Sequence, residues 1–414
     1  MKTGLLSQYR GLRKELYILF IGRIMTNMGS MIWPMFTLIL NRKLGLNATI
    51  IAACMVIFSL INLPISLIGG KLADKLNKKN IIVVCDLISI ASFVYCSIVP
   101  VTITSIAIFA VASLFQTIEW PSYDALVADF STSRDRERAY SLSYLGTNLG
   151  LVLSPTLAGF LFENHLNLAF LINGISIALS TALIFFRIKD VHREKDEDVA
   201  SGYEAELDSK VSALTLVRRN RVILLFIMAS ALANGVYAMY GYLMPLDMGM
   251  TYAERGSVLF GSMSSVNCIV VVTCTALITR LFSRVRECGK MLIGESLIIT
   301  GYLILLLFIR HPWLCYVAIT VFTFGEIFNT LSSSPFLTRR IPASHRGRIL
   351  AVLNVFCGLS SSAIQLLIGA LYDKAGSATA WLTIIGVGLA EILLVAIMAG
   401  FDRKDYSDLY EPLN

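Results

Sequence analysis

A chain of 414 residues that is 56% hydrophobic, 15% charged and +0.70 in mean hydropathy is not an ordinary soluble globule, because such domains carry about 25% charged residues. Uncharged runs of bilayer-spanning length recur along it, so the sequence describes an all-α membrane protein that crosses the bilayer many times. The net charge of +7 belongs to nucleic-acid binding only if it is clustered on one surface, and its distribution between the apolar runs gives it a different meaning.

Hydropathy predicts twelve spans, at 16–40, 48–70, 80–100, 102–128, 139–162, 165–187, 221–246, 253–279, 289–309, 313–337, 348–371 and 377–400. The first is too long for a signal-peptide core and lacks a small-residue cleavage site. With the N-terminus placed inside, 29 of the 35 Lys and Arg fall on inner segments and five on outer loops. The remaining one, Arg23, lies within the first span. That asymmetry sets both termini in the cytoplasm. The basic excess is therefore a topology signal, and no nucleic-acid partner is expected.

The longest polar stretch, 188–220, separates the sixth and seventh spans. It reads as a cytoplasmic linker with a short surface helix near Val211–Arg219. The predicted domains are thus 1–187, 188–220 and 221–414, two six-span halves and their connection. The halves read as a diverged repeat: RERAYSLSYLGTNLG (136–150) aligns with RGRILAVLNVFCGLS (346–360) at an offset of 210. Repeated six-span halves are a transporter architecture, with the substrate held near the membrane midplane.

The loop after the second span, GGKLADKLNKKN (69–80), resembles the signature cytoplasmic loop of the major facilitator superfamily. Gly70, Asp74, Lys75, Lys78 and Lys79 match, and Asn77 replaces the second glycine. The physical logic is close helix approach at glycine, a capping carboxylate and inner-face cations. The resemblance covers the whole chain and implies that the first, fourth, seventh and tenth spans line a central cavity. In the fifth span, Gly150, Pro155 and Gly159 fall where drug/proton antiporters carry a GxxxGPxxGG motif, with Ser154 and Ala158 as small replacements. The same spacing also serves a plain small-residue helix interface.

An acid inside a span is a functional hypothesis by default, since charging one at the bilayer centre costs at least ~2.5–3.5 kcal/mol. Glu119 in the fourth span and Glu326 in the tenth are 207 residues apart, at matching positions of the repeat. The TFGEI stretch around Glu326 is similar to that of some bacterial multidrug antiporters, which carry an acid there. Proton coupling is therefore assigned to Glu326 and Glu119, with Asp124 as a further candidate.

Polar residues at helical spacing extend these positions: Gln116 and Tyr123 with Glu119; Thr323, Asn329 and Ser333 with Glu326; Asn27 and Ser30 with Arg23; Tyr237 and Gly241 with Asn234. Candidate cavity residues are Arg23, Asn27, Trp33, Tyr123, Asn234, Tyr237 and Asn329. Asn27 and Asn234 serve equally well as interhelical hydrogen-bonding groups. Arg23 needs a partner, and Asp124 matches its depth better than Glu119. The antiporter pattern usually places an arginine on the fourth span, where this sequence has none. A gate is assigned to Gly70, Asp74, Lys75, Asp129, Gly150, Pro155 and Gly159, with Asp129 pairing near Lys75. Asp86 and Glu295 are expected to be structural acids near helix N-termini, and Glu391 in the twelfth span has no sequence-level explanation.

The eight cysteines contain no CxxC pair and read as apolar packing residues, not a metal site or disulfide framework. No phosphate loop, metal cluster or nucleophile–base pair points to an enzyme or to direct ATP drive, and a sensor would add a soluble domain. The sequence therefore describes a secondary transporter of the bacterial plasma membrane, needing no cofactor beyond a coupling proton and functional as a monomer. Its resemblance implies an exporter of lipophilic or cationic organic compounds in exchange for protons. The alternative is a proton-coupled importer of a small organic nutrient.

Overall fold

The computed structural model describes residues 9–132, 135–188, 217, 220–341 and 346–407. The predicted linker and its surface helix lie outside the described residues, apart from Ile188, Val217 and Asn220. Every regular element among the described residues is helical. The order is α1 (Lys14–Met28), α2 (Ala48–Lys75), α3 (Lys78–Ile98), α4 (Ile103–Asp129), α5 (Arg136–Leu151), α6 (Ser154–Phe162) and α7 (Leu166–Arg187). The chain continues through α8 (Arg221–Ala238), α9 (Leu243–Tyr252), α10 (Gly256–Leu281), α11 (Glu287–Phe308), α12 (Pro312–Arg340) and α13 (Arg346–Asp405).

Among the described residues nine helical stretches are long and apolar enough to cross a membrane. Two of them, Arg221–Leu281 at 61 residues and Val352–Asp405 at 54, each hold two crossings' worth of chain, since a crossing needs about 20 residues. Counting those as pairs, with the interrupted first segment, is consistent with twelve spans.

The helix ends follow from local chemistry. Thr102 caps α4 in a reciprocal box: Ser105 N donates to Thr102 Oγ1 at 3.3 Å, and Thr102 N to Ser105 Oγ at 2.8 Å. Asn220 caps α8, accepting from Val222 N and Ile223 N, both at 3.1 Å. In α13 the helix is broken at Gly376, whose φ of +83° lies in the left-handed region that favours glycine.

Three predicted spans are not single helices. The first ends at Met28 and resumes only at Phe36, followed by a π turn at Ile39–Lys43. Pro34 removes a backbone donor within that gap. The seventh breaks between Ala238 and Leu243, with Pro245 in the first turn of α9. The fifth breaks as well, at residues 152–153, just before Pro155 opens α6. Proline tolerated at a helix start is the common cause at α6 and α9.

Packing divides the chain into two compact units. One comprises Met1–Leu46, Cys54–Glu194 and Met248–Val272; the other comprises Asn47–Ala53, Lys195–Asp247 and Thr273–Asn414. In the first, Leu16, Leu19, Ile82, Leu126, Val127 and Ile184 form a buried cluster. In the second, Val222, Phe226, Met291, Phe336, Val395 and Met398 do so. Large apolar side chains also point outward, Leu67 at 70% and Phe186 at 78% exposure. Large apolar side chains exposed on membrane-length helices suit contact with lipid.

Glycine permits the closest approaches. A Cβ on Gly150 would lie 2.7 Å from the Ile24 carbonyl of α1, and one on Gly159 2.5 Å from the Ser257 carbonyl of α10. The close approach expected at Gly70 is made instead by its neighbour: a Cβ on Gly69 would meet the Ile118 carbonyl at 2.7 Å, whereas Gly70 has nothing within 4 Å. Adjacent positions on a helix point about 100° apart, so only one of the two glycines can face α4. The cysteines are free thiols, most of them buried.

Candidate transport cavities

Each unit holds a cavity of its own. The first, about 390 Å³, is lined by residues of α1 to α4 and α7, including Arg23, Asn27, Trp33, Gln116, Glu119 and Tyr123. The second, about 530 Å³, is lined from α8, α11, α12 and α13, including Asn234, Tyr237, Glu326, Asn329, Asn354 and Cys357. The two glutamates matched by sequence repeat therefore each face a cavity.

In the first cavity Arg23 is 5% exposed and donates from Nη2 to Asp124 Oδ1 at 3.1 Å. Its guanidinium lies 4.2 Å from the Trp120 ring centroid and 4.0 Å from that of Tyr123. Two aromatic faces thus repay part of its desolvation. Its Nε meets no acceptor, leaving a donor beside the cavity. Tyr123 forms wall, not a free hydroxyl, because its OH donates to the Leu19 carbonyl at 2.5 Å. Trp33 lies in the turn after α1, stacked on Phe36 with centroids 5.5 Å apart. Asn27 donates Nδ2 to the Arg23 carbonyl at 2.8 Å.

Glu119 is hydrogen-bonded to Asp86 of α3, and Asp86 Oδ2 accepts from Thr181 Oγ1 at 2.5 Å. The expectation that Asp86 is held by its helix N-terminus is corrected: it lies two turns beyond the start of α3, where that field has decayed. It acts on the neighbouring glutamate instead. Glu295 is corrected likewise. It accepts from Asn329 Nδ2 and is hydrogen-bonded to Glu391.

In the second cavity Tyr237 OH donates to Glu326 Oε1 at 2.9 Å. The Tyr237 ring stacks on Phe322 at 5.8 Å and on Tyr240 at 6.3 Å. Asn234 and Asn329 line the space, with the Asn329 amide nitrogen already engaged by Glu295. Two stripe members depart from the cavity. Thr323 is fully buried, bonding the Ile319 carbonyl at 2.6 Å, and Gly241 lies in the break before α9.

Of the expected gate residues, Asp129 pairs with Lys78 Nζ at 2.7 Å, three residues from Lys75. Asp74 and Lys75 are exposed. Pro155 packs through its carbonyl, which a Cβ on Gly261 would meet.

Several polar centres escaped sequence reading. Asp247, 3% exposed, accepts from Tyr372 OH at 3.0 Å, Ser377 Oγ at 2.7 Å and Trp381 Nε1 at 2.8 Å. Asp373 accepts from Ala48 N at 3.0 Å and Thr49 N at 2.8 Å. Arg340 and Asp402 form a fully buried fork at 2.5 and 2.6 Å. For Asp247 the available signal was an acid one residue beyond a predicted span. The others require knowing which distant segments meet.

Membrane-length helices surrounding polar cavities that carry acids define a membrane transporter of the secondary type. The Major Facilitator Superfamily model matches residues 18–364, and the chain belongs to that family. It is a multi-pass cell-membrane transporter, not an enzyme, and transporters of this kind draw on ion gradients rather than bound cofactors. It is 22% identical over 417 residues to a Na(+), Li(+), K(+)/H(+) antiporter of Planococcus maritimus, covering 94% of each chain. It is 23% identical over 399 residues to the quinolone resistance protein NorA of Staphylococcus aureus, covering 93% of this chain and 97% of that one. Among solved structures, a POT family transporter in complex with 5-aminolevulinic acid superposes with a TM-score of 0.76 at 14% identity, over 95% of this chain and 97% of that one. A D-xylose–proton symporter does so at 0.69 and 12% identity, over 92% and 96%. These structural likenesses establish the fold.

Proposed function

We propose that the chain is a proton-coupled antiporter that exports lipophilic or cationic organic compounds. The observation that carries this reading is Glu326, an acid on the wall of the second cavity that accepts from the Tyr237 hydroxyl at 2.9 Å. A carboxyl on a cavity wall within the membrane can load and release a proton as its access to water alternates. A cationic substrate then competes with that proton for the same charge, and the Tyr237 ring on the cavity wall, stacked on Phe322 behind it, offers apolar contact.

Glu119, beside Asp86, is the second proton group, and Asp124 is a further one, held by Arg23 at the same cavity. Asn27, Trp33, Tyr123, Asn234 and Asn329 shape the two cavities. Gly70, Asp74, Lys75, Asp129, Gly150, Pro155 and Gly159 form the hinge and latch. The six-span halves, 1–187 and 221–414, joined by 188–220, are the moving parts, and one polypeptide suffices. The likeness to a cation/proton antiporter supports antiport over symport, and the likeness to a quinolone resistance protein supports an organic substrate.

The test is uptake of a fluorescent lipophilic cation into inverted vesicles carrying wild type, Glu326→Gln or Glu119→Gln. The reading expects gradient-driven accumulation that Glu326→Gln abolishes and Glu119→Gln weakens. Uptake in Glu326→Gln equal to wild type contradicts it.

A further inference from the structure

Behind the second cavity lies a pair of acids that the proposed transport step does not use. Glu295 on α11 and Glu391 on α13 are 3% and 2% exposed, and their carboxyls are within hydrogen-bond reach of each other. Among the described residues no basic side chain pairs with either. Three oxygens there, Glu295 Oε2, Glu391 Oε2 and Asn329 Oδ1, meet no protein donor. They border a small cavity of about 30 Å³, walled also by Ser230 and Ser333, enough for one water-sized occupant. Glu295, Asn329, Ser230 and Ser333 also line the larger cavity, which provides an entry path.

We infer that this cluster is a binding site for one small alkali cation, sodium or lithium, loaded together with a single shared proton. Two facing carboxyls in a dry interior need two positive charges to be neutral. One is the proton that lets the carboxyls approach each other. The other is a second proton or a metal cation, so each cation that enters displaces one proton at constant charge. Three orphaned acceptors exceed what the two hydrogens of one water satisfy, while a cation serves all of them at once. The ligands are hard oxygens, which excludes soft-metal preference. With so few of them the site falls short of the six to eight that calcium takes. Among the described residues no group of three or more His, Cys, Asp or Glu gathers at one point.

The backbone supports the arrangement. A Cβ on Gly294 would lie within 2.9 Å of Asn329 Cγ, so only glycine admits this amide beside Glu295. The other titratable groups facing the pair are accounted for. Tyr302 OH donates to the Val236 carbonyl at 3.0 Å, Cys288 lies against Asp402, and Glu326 opens on the larger cavity.

The test is equilibrium binding of radioactive sodium to the purified full chain, with lithium, potassium and choline as competitors, from mildly acid to mildly alkaline pH. The site predicts saturable binding displaced by lithium, less by potassium and not by choline. Affinity falls roughly tenfold per pH unit of acidification, since one proton is exchanged. Glu391→Gln abolishes binding and Glu326→Gln retains it. Absence of saturable binding in the wild type at every pH overturns the inference, as does binding that survives both Glu295→Gln and Glu391→Gln. If those variants fail to fold, the wild-type pH and competitor series decides alone. No organic substrate is present, so failure here leaves the export reading standing.

Discussion

At the scale of single residues, Arg23 shows how a charge is kept inside a span. It combines an ion pair with two ring faces, and the planar guanidinium makes all three contacts at once. Arg23→Lys keeps the charge but loses the sandwich. A desolvated cation–π contact contributes about 2 kcal/mol, so transport is expected to fall more than tenfold, measured as initial uptake rate. An unchanged rate would mean that only the charge matters. Sequence reading placed Asp124 at the right depth for this pair, and Tyr123 and Glu119 on the cavity wall, because helical spacing of 3–4 residues fixes which side chains share a face. It missed the partners of Asp86, Glu295 and Glu391, since carboxyl–carboxyl contacts join separate helices and no periodicity within one helix encodes them.

At the scale of elements, glycine contacts and buried charge set how closely helices pack. Gly325 of α12 faces Gly294 of α11, where a Cβ would lie 2.5 Å from the Gly294 carbonyl. Gly325→Ala should lower stability by ~1–3 kcal/mol through overpacking. Gly386→Ala, with nothing within 4 Å, should not. Thermal unfolding in detergent compares the two. The Arg340–Asp402 fork joins the end of α12 to that of α13. Removing one partner with Arg340→Met should cost ~3–5 kcal/mol, and adding Asp402→Leu should recover most of it. A double variant no more stable than the single would refute that account. Sequence reading located most helices to within a few residues, but it ran the first and seventh spans straight through their breaks. Hydropathy averages over a window and does not register a missing backbone donor at Pro34 or a turn before Pro245.

At the scale of the whole molecule, the all-helical, membrane-length character was legible because it is written in composition. Cavity chemistry was legible only where an acid interrupts an apolar run. Gly69 taking the close contact expected of Gly70 illustrates the remaining gap: a motif names a region, and packing decides which of two neighbours makes the contact. The direction of transport is a property of the whole cycle, and it separates the exporter from the importer. Purified protein in proteoliposomes, with the pH gradient imposed in either sense, tests this most directly. Antiport predicts that a lipophilic cation accumulates in the compartment that protons leave. Accumulation in the compartment that protons enter, or accumulation indifferent to the gradient, would contradict it.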